Sequence, residues 1–310
     1  MRLDPSSSKA ATWASLLTLA GFCIVVLKIT TMPLPLVERH VGPAELPHGT
    51  DNQQLWWVPA SPSGLPAPDA PLLETTVYRP RGTGPFALVV ISHGKPKRNF
   101  SGVEPGFETA AHWFVDQGFV VVVPLRQGYG RSEGGVNDMV GTCDTMDYFA
   151  TAKQTARDIE AVVAFMQRQS FIDPNNIVVV GHSHGGFGAL GVASDAPNGV
   201  RGVINFAGGS GASKRGGFCN GRENLIAALR RLGSENWLPQ IWLYALDDET
   251  FDSIVAKEMW LAYSSSSHSK ILFVALPATG AGHMLFPKGN TVLWEQAVRQ
   301  FLVQLGMRAD

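Results

Sequence analysis

An α/β fold with a largely parallel central sheet is what this sequence predicts, and three observations predict it. Short continuous apolar runs recur at 86–92, 119–124, 177–180, 200–206, 241–246 and 271–276, the pattern of strands covered on both faces. Helical spacing appears between such runs, as in Ala152, Ala156, Ile159, Val163 and Met166 within 151–169. The chain has 310 residues, 45% of them hydrophobic, which is enough for one sizeable core. Buried strands alternating with helices imply parallel pairing, and ligands of such sheets bind beyond the carboxyl ends of the strands. Functional residues are therefore expected just after strands.

The N-terminus has a different character. Arg2 and Lys9 precede an uncharged stretch, 10–27, that carries Trp13, Leu16, Leu17, Leu19, Phe22, Ile24, Val25, Val26 and Leu27. A basic start followed by an apolar run reads as a secretory signal or a membrane anchor, with a length close to the about 20 residues that span a bilayer. Residues 1–30 are assigned to a signal peptide or signal anchor. The expected location is exported, periplasmic or extracellular, with membrane contact through this segment if it stays uncleaved. Residues 31–72 hold nine prolines. Proline fixes φ and cannot donate to a ladder, so they read as a linker and irregular wrap with one short strand at 55–58.

The α/β domain is placed at 73–310. Its elements follow in order. Residues 75–78 alternate like an edge strand, and 86–92 form the first buried strand. A helix at 108–117 ends at Gly118, the second buried strand runs 119–124, and a long helix covers 151–169. Strands at 177–180, 200–206, 241–246 and 271–276 follow, then a closing amphipathic helix at 291–305. The segment 210–239, with a helix near 222–232, has the length of a small lid.

Charge and motif content exclude several classes. The formal net charge is −1 with no long run of Lys or Arg, so the basic stripe of a nucleic-acid partner is missing. The eight histidines form no convincing ligand pair, and the glycines at 208–211 lack phosphate-loop or dinucleotide spacing. No metal or cofactor is expected.

Two segments fit G-x-S-x-G: Gly181-His182-Ser183-His184-Gly185 and Gly130-Arg131-Ser132-Glu133-Gly134. The pattern has mechanical meaning only at a sharp strand-to-helix turn that exposes the hydroxyl. Ser183 follows the strand at 177–180 and precedes Gly186-Phe187-Gly188-Ala189-Leu190, which can start a helix. Ser132 follows a glycine-rich stretch and starts no helix, so it reads as a loop residue. A serine needs a base to remove its proton and an acid to orient that base. In the α/β-hydrolase fold they follow in the order Ser, acid, His. His283, in a glycine-rich loop after the strand at 271–276, is the expected base. His268 sits in a polar linker and reads as solvated. His182 and His184 flank the nucleophile too closely and are expected to shape the pocket or to pack. Asp247 and Asp248 both follow the strand at 241–246, and spacing does not separate them; Asp252 is a weaker third candidate. The oxyanion hole needs backbone N–H groups, expected from His184 and from Lys95 after His93-Gly94.

These residues resemble a known family. The run IDPNNIVVVGHSHGG at 172–186 is similar to the nucleophile region of the dienelactone hydrolase and prolyl-oligopeptidase-like branch of α/β-hydrolases. YRP at 78–80, GPF at 84–86 and SHG at 92–94 are similar to its first strands, and RQGYGRS at 126–132 to the loop after its next strand. YALDD at 244–248 and Gly282-His283 resemble its acid and base segments. The likeness covers roughly 73–305. It implies an α/β-hydrolase fold, a mostly parallel sheet flanked by helices, and a Ser183–Asp248–His283 triad, with the acid on Asp248 rather than Asp247. It also implies a disulfide between Cys143 and Cys219, which counting alone leaves open against two buried thiols. His184 and His182 depart from the small residue and the Gln usual beside the nucleophile.

The expected activity is carboxylic-ester hydrolysis through an acyl-enzyme, on a small-molecule ester. A serine peptidase acting on short peptides is the first alternative, with Trp237 or Glu235 as candidate groups to hold a peptide amine. A non-enzymatic, membrane-anchored binding protein on the same fold is the second.

Overall fold

The computed structural model describes residues 40–49, 52–96, 106–212, 217–288 and 290–307. The proposed signal or anchor segment lies outside them. Among the described residues no helix is long and apolar enough to cross a membrane.

Nine strands form one sheet: β1 (Gly42–Pro43), β2 (Gln54–Pro59), β3 (Leu72–Tyr78), β4 (Phe86–Ser92), β5 (Val120–Pro124), β6 (Ile172–His182), β7 (Val200–Phe206), β8 (Gln240–Ala245) and β9 (Ile271–Leu276). Their order is β1-β2-β3-β5-β4-β6-β7-β8-β9. The first three strands pair antiparallel and join β5 antiparallel; every later pair is parallel. Among the described residues six α-helices accompany them: α1 (Glu108–Asp116), α2 (Tyr148–Met166), α3 (His184–Asp195), α4 (Arg222–Ser234), α5 (Ser253–Ser264) and α6 (Glu295–Gln304).

The continuous apolar runs are explained by what covers each face. Successive side chains of a strand point to opposite faces. Val89 and Ile91 of β4, Val121 and Val123 of β5, and Val178 and Val180 of β6 pack with Phe114 of α1 and Trp294, Val298 and Phe301 at α6. Their neighbours Leu88, Val90, Val120, Val122, Ile177 and Val179 pack with Ile159 and Val163 of α2 and Ala189 and Val192 of α3. Trp242 and Tyr244 of β8 turn to a third cluster, built with α4 and α5. Neither face of the central strands meets water, so alternation disappears from the sequence.

Three expectations need correction. The sheet does not begin at residue 73. β2 pairs along its whole length with β3, from Gln54↔Val77 to Pro59↔Leu72, and β1 pairs with β2. The prolines of this region flank or end strands, where a missing N–H costs no ladder bond, and Trp56 supplies the apolar payload by packing edge-on against Phe165 and Phe171. The segment 210–239 is not a lid. α4 buries Leu225, Leu229 and Leu232 in the third cluster as an ordinary flanking helix. The closing helix is broken: a 3₁₀ turn, Thr291–Leu293, and α6 meet at the fully buried Trp294.

Candidate active site

The parallel strands deliver the sequence-predicted residues to one edge of the sheet. β6 ends at His182 and α3 starts at His184, so Ser183 is the whole connection. Its backbone sits at φ 55° and ψ −121°, a region that a residue with a Cβ occupies only when its surroundings impose it. They do. The Ser183 N–H donates to the Phe206 carbonyl, and the Ser183 carbonyl accepts from Phe187 and Gly209, each at 3.0 Å. Glycine at 185 is required because a Cβ there would collide with the carbonyl oxygens of Ser92 and His93. The elbow is thus wedged against the end of β4.

His283 lies in a 3₁₀ turn, Gly282–Met284, beyond β9. Its Nε2 is 2.8 Å from Ser183 Oγ and its Nδ1 is 2.9 Å from Asp248 Oδ2. Asp248, 3% exposed, accepts two further hydrogen bonds on Oδ1, from the N–H groups of Thr250 at 2.7 Å and Phe251 at 3.0 Å. These bonds fix the carboxylate with one oxygen free for the imidazole. Asp247 turns the other way. Its Oδ2 accepts from the N–H groups of Thr279 at 3.0 Å and Gly280 at 2.6 Å, which pins the loop that carries His283. Partial burial of this carboxylate acts to raise its pKa, but the N–H groups of Gly280 and Thr279 win and hold it below the usual carboxylate range. The two aspartates that the sequence leaves equivalent are separated by these contacts. Asp252 caps α5, accepting from Ile254 and Val255.

The flanking histidines are neutral and structural. Burial pushes His182 down to about 3, helped by the neighbouring His283, and its Nε2–H donates to the His283 carbonyl at 2.8 Å. Burial likewise pushes His184 down to about 3. Its Nε2 contacts Thr155 Oγ1 and its Nδ1 contacts Ser210 Oγ, both at 3.0 Å. Gly94 passes directly over Ser183: a Cβ there would stand 3.0 Å from Ser183 Cβ. The exposed Lys95 therefore follows beside Ser183.

The other sequence candidates are elsewhere. Ser132 is buried, donating to the Leu125 carbonyl at 2.7 Å and accepting from the Glu74 N–H at 2.9 Å, with no imidazole among these partners. His268 donates to the Ser234 carbonyl and stacks on Trp237 at 4.1 Å. Trp237 lies between the C-terminus of α4 and the start of β8, at the amino ends of the strands, and Glu235 faces Lys153 and Arg231. Neither stands at the nucleophile, so the suggestion that they hold a peptide amine is not supported by position. Cys143 and Cys219 are joined by a disulfide, tying the turn before α2 to the segment before α4. Sequence reasoning missed Arg126 and Asp138, a buried ion pair behind the elbow. A signal existed for the first, a charged residue directly after the buried strand β5, but Asp138 sits in a polar stretch with no periodicity.

Comparison with known proteins places this chain in a family. Residues 83–249, more than half of the chain, match the family Hydrolase_4, described as serine aminopeptidase, S33. No curated protein matches the sequence. Among solved structures, Est1E from Butyrivibrio proteoclasticus is similar at 15% identity over 82% of this chain and 99% of that one, with a TM-score of 0.55. The esterase Pf2001 of Pyrococcus furiosus matches at 14% identity, 86% and 99% coverage and a TM-score of 0.58. A putative dienelactone hydrolase from Klebsiella pneumoniae matches at 13% identity, 83% and 99% coverage and a TM-score of 0.54. At these identities the likeness is one of fold. Together with the family match, it establishes that this chain belongs to the Hydrolase_4 family of α/β-hydrolases and is a serine hydrolase.

Proposed function

We propose that the protein is a carboxylic-ester hydrolase that works through an acyl-enzyme on Ser183. The observation that carries this reading is the continuous relay from Ser183 Oγ through His283 to Asp248, with bonds of 2.8 and 2.9 Å. Ser183 Oγ attacks the ester carbonyl carbon while His283 Nε2 takes its proton, and the buried Asp248 carboxylate stabilises the imidazolium. The negative charge that forms on the carbonyl oxygen is met by the N–H groups of His184, the first residue of α3, and Lys95. His283 then gives its proton to the departing alcohol. A water molecule repeats the sequence on the acyl-enzyme and releases the acid. A neighbour of the same fold that is named as an esterase supports the ester over other acyl donors.

The test is hydrolysis of p-nitrophenyl acetate together with labelling by a fluorophosphonate. Ser183→Ala is expected to lose turnover by about 10⁶-fold, as removal of such a nucleophile does, and to lose the label. Turnover equal to the parent would end the proposal. A peptidase is the second reading, favoured by the description of the matched family. Aminoacyl amides assayed beside esters decide between them, and a higher kcat/KM on the amides would reverse the order.

We also propose that the protein is exported, through residues 10–27. The apolar segment behind Arg2 and Lys9 and the Cys143–Cys219 disulfide support this, since disulfides persist in oxidising compartments. Cell fractionation tests it: recovery only from the cytosol would overturn it.

A further inference from the structure

Behind the elbow lies a polar cluster that the relay does not use. Arg126 and Asp138 are 2% and 5% exposed. Nη2 of Arg126 donates to Asp138 Oδ1 at 3.3 Å, and the Tyr129 hydroxyl donates to Oδ2. Nη1 of the same guanidinium donates to Ser92 Oγ at 3.2 Å and to the His93 carbonyl, while the Arg126 backbone N–H donates to His93 Nε2 at 3.1 Å. The end of β4, which leads into Gly94 and Lys95, is therefore held by Arg126 at three atoms.

The same oxygen of Asp138 also lies near the elbow. His184 Nε2 is 3.6 Å from Asp138 Oδ1. The tautomer follows from the partners. Thr155 Oγ1 donates to the Thr151 carbonyl at 3.0 Å, so its oxygen accepts from His184 Nε2–H. His184 Nδ1 then accepts from the Ser210 hydroxyl. The single Nε2 proton is donated to Thr155, and Asp138 Oδ1 stands 3.6 Å from the same nitrogen without a direct hydrogen bond. One carboxylate thus reaches the end of β4 through Arg126 and lies beside the His184 ring, next to the two chain segments that bear the proposed oxyanion amides.

Stability does not account for this arrangement. Desolvating a buried Arg–Asp pair costs about as much as the attraction returns, and apolar residues of equal volume often do as well. Positional fixing is a different matter, because oxyanion donors act only when held within a few tenths of an ångström. We propose that Asp138 is a positioning residue of the hydrolytic site, holding one arm of the oxyanion hole through Arg126 and the other through His184. This inference rests on the ester-hydrolase mechanism above.

The experiment uses the full chain and measures kcat and KM on p-nitrophenyl acetate, the Ki of a trifluoromethyl ketone, and the thermal midpoint. The ketone's hemiketal oxygen takes the place of the oxyanion, so its affinity reads the hole and not the fold. Asp138→Asn keeps shape and removes charge. It is expected to lower kcat by about 10- to 100-fold, less than the about 100- to 1,000-fold for deleting an oxyanion donor itself. KM should stay within about twofold, and Ki should rise by the factor that kcat/KM falls. A folded Asp138→Asn enzyme with kcat within about twofold of the parent overturns the proposal, as does a kcat loss with unchanged Ki. If Asp138→Asn does not fold, Tyr129→Phe, which removes one donor to Asp138 and leaves the ion pair, decides by the same two criteria with a smaller expected loss. Ser183→Ala separates the two levels. If parent turnover disappears with Ser183→Ala but Asp138→Asn is silent, only the positioning role fails. If Ser183→Ala is silent, the mechanism fails and takes this inference with it.

Discussion

At the scale of single residues, two adjacent carboxylates after β8 do different things. Asp248 is buried and reaches the imidazole of His283; Asp247 is partly exposed and holds the backbone at Thr279 and Gly280. In the proposed mechanism Asp248→Asn leaves the shape and loses the charge that stabilises the imidazolium, so kcat on p-nitrophenyl acetate should fall about 10⁴-fold with little change in thermal midpoint. Asp247→Ala removes two charge-assisted hydrogen bonds at a partly solvated site. It should lower the urea midpoint slightly and reduce kcat far less than Asp248→Asn does. Spacing does not separate these two residues, because identical side chains one position apart differ only in what the fold brings to them; the family resemblance alone put the acid on Asp248. Ser183 and Ser132 are separable, since a strand-to-helix turn has a local pattern. Asp138 is not legible at all: its partners come from two separate segments, Arg126 and Tyr129 from the loop after β5 and His184 from the start of α3.

At the scale of elements, the elbow depends on how closely α3 approaches β4. Gly185→Ala would drive a Cβ into the carbonyl oxygens of Ser92 and His93. These are backbone atoms of a central strand and cannot swing aside as a flexible side chain would. Overpacking of this kind costs about 1–3 kcal/mol, and the displaced helix would carry Ser183 and His184 with it. We expect a lowered urea midpoint and a loss of fluorophosphonate labelling that is larger than the stability change accounts for. Elements with one strong local signal were readable: 86–92, 200–206 and 271–276 coincide with β4, β7 and β9. β2 and α4 were readable as elements, at 55–58 and near 222–232, but their settings were not. β2 is surrounded by proline and reads as part of a linker. α4 follows a glycine-rich stretch suggestive of a lid, and its buried face becomes apparent only once α2 and α5 are beside it. Trp294 interrupts the closing helix because burying the indole against Trp113 and Phe114 governs the backbone there, and helical periodicity does not report that.

At the scale of the whole domain, stability should depend on redox state and on pH. The Cys143–Cys219 bond closes a loop with a sequence separation of 76. The chain-entropy estimate for such a loop is about 4 kcal/mol, so Cys143→Ser with Cys219→Ser should lower stability by up to about that amount in a urea titration. The pH dependence follows from three buried imidazoles. Burial pushes His182 and His184 down to about 3 and His93 well below its usual value of 6.5. Between about pH 3 and 6.5 the unfolded chain binds protons that the folded domain refuses, so stability must fall as pH falls through that window. From pH 7 to pH 5 the loss is about 2 kcal/mol each for His182 and His184, and His93 adds to it in the same direction. Glu160 works against this. Burial, with Asp195 beside it, raises its carboxyl to about 7, so the folded domain takes up a proton between about pH 7 and 4.5 that the unfolded chain does not, and acidification is stabilising there. One partly solvated carboxyl offsets only part of the loss from three imidazoles, and the net slope remains destabilising toward acid. Thermal midpoints at pH 7 and pH 5 check the balance: His182→Gln should narrow the difference between them, while Glu160→Gln should widen it by removing the opposing group. Equal midpoints at the two pH values in the Glu160→Gln protein, where this opposing group is gone, would count against imidazoles that stay neutral in the folded state.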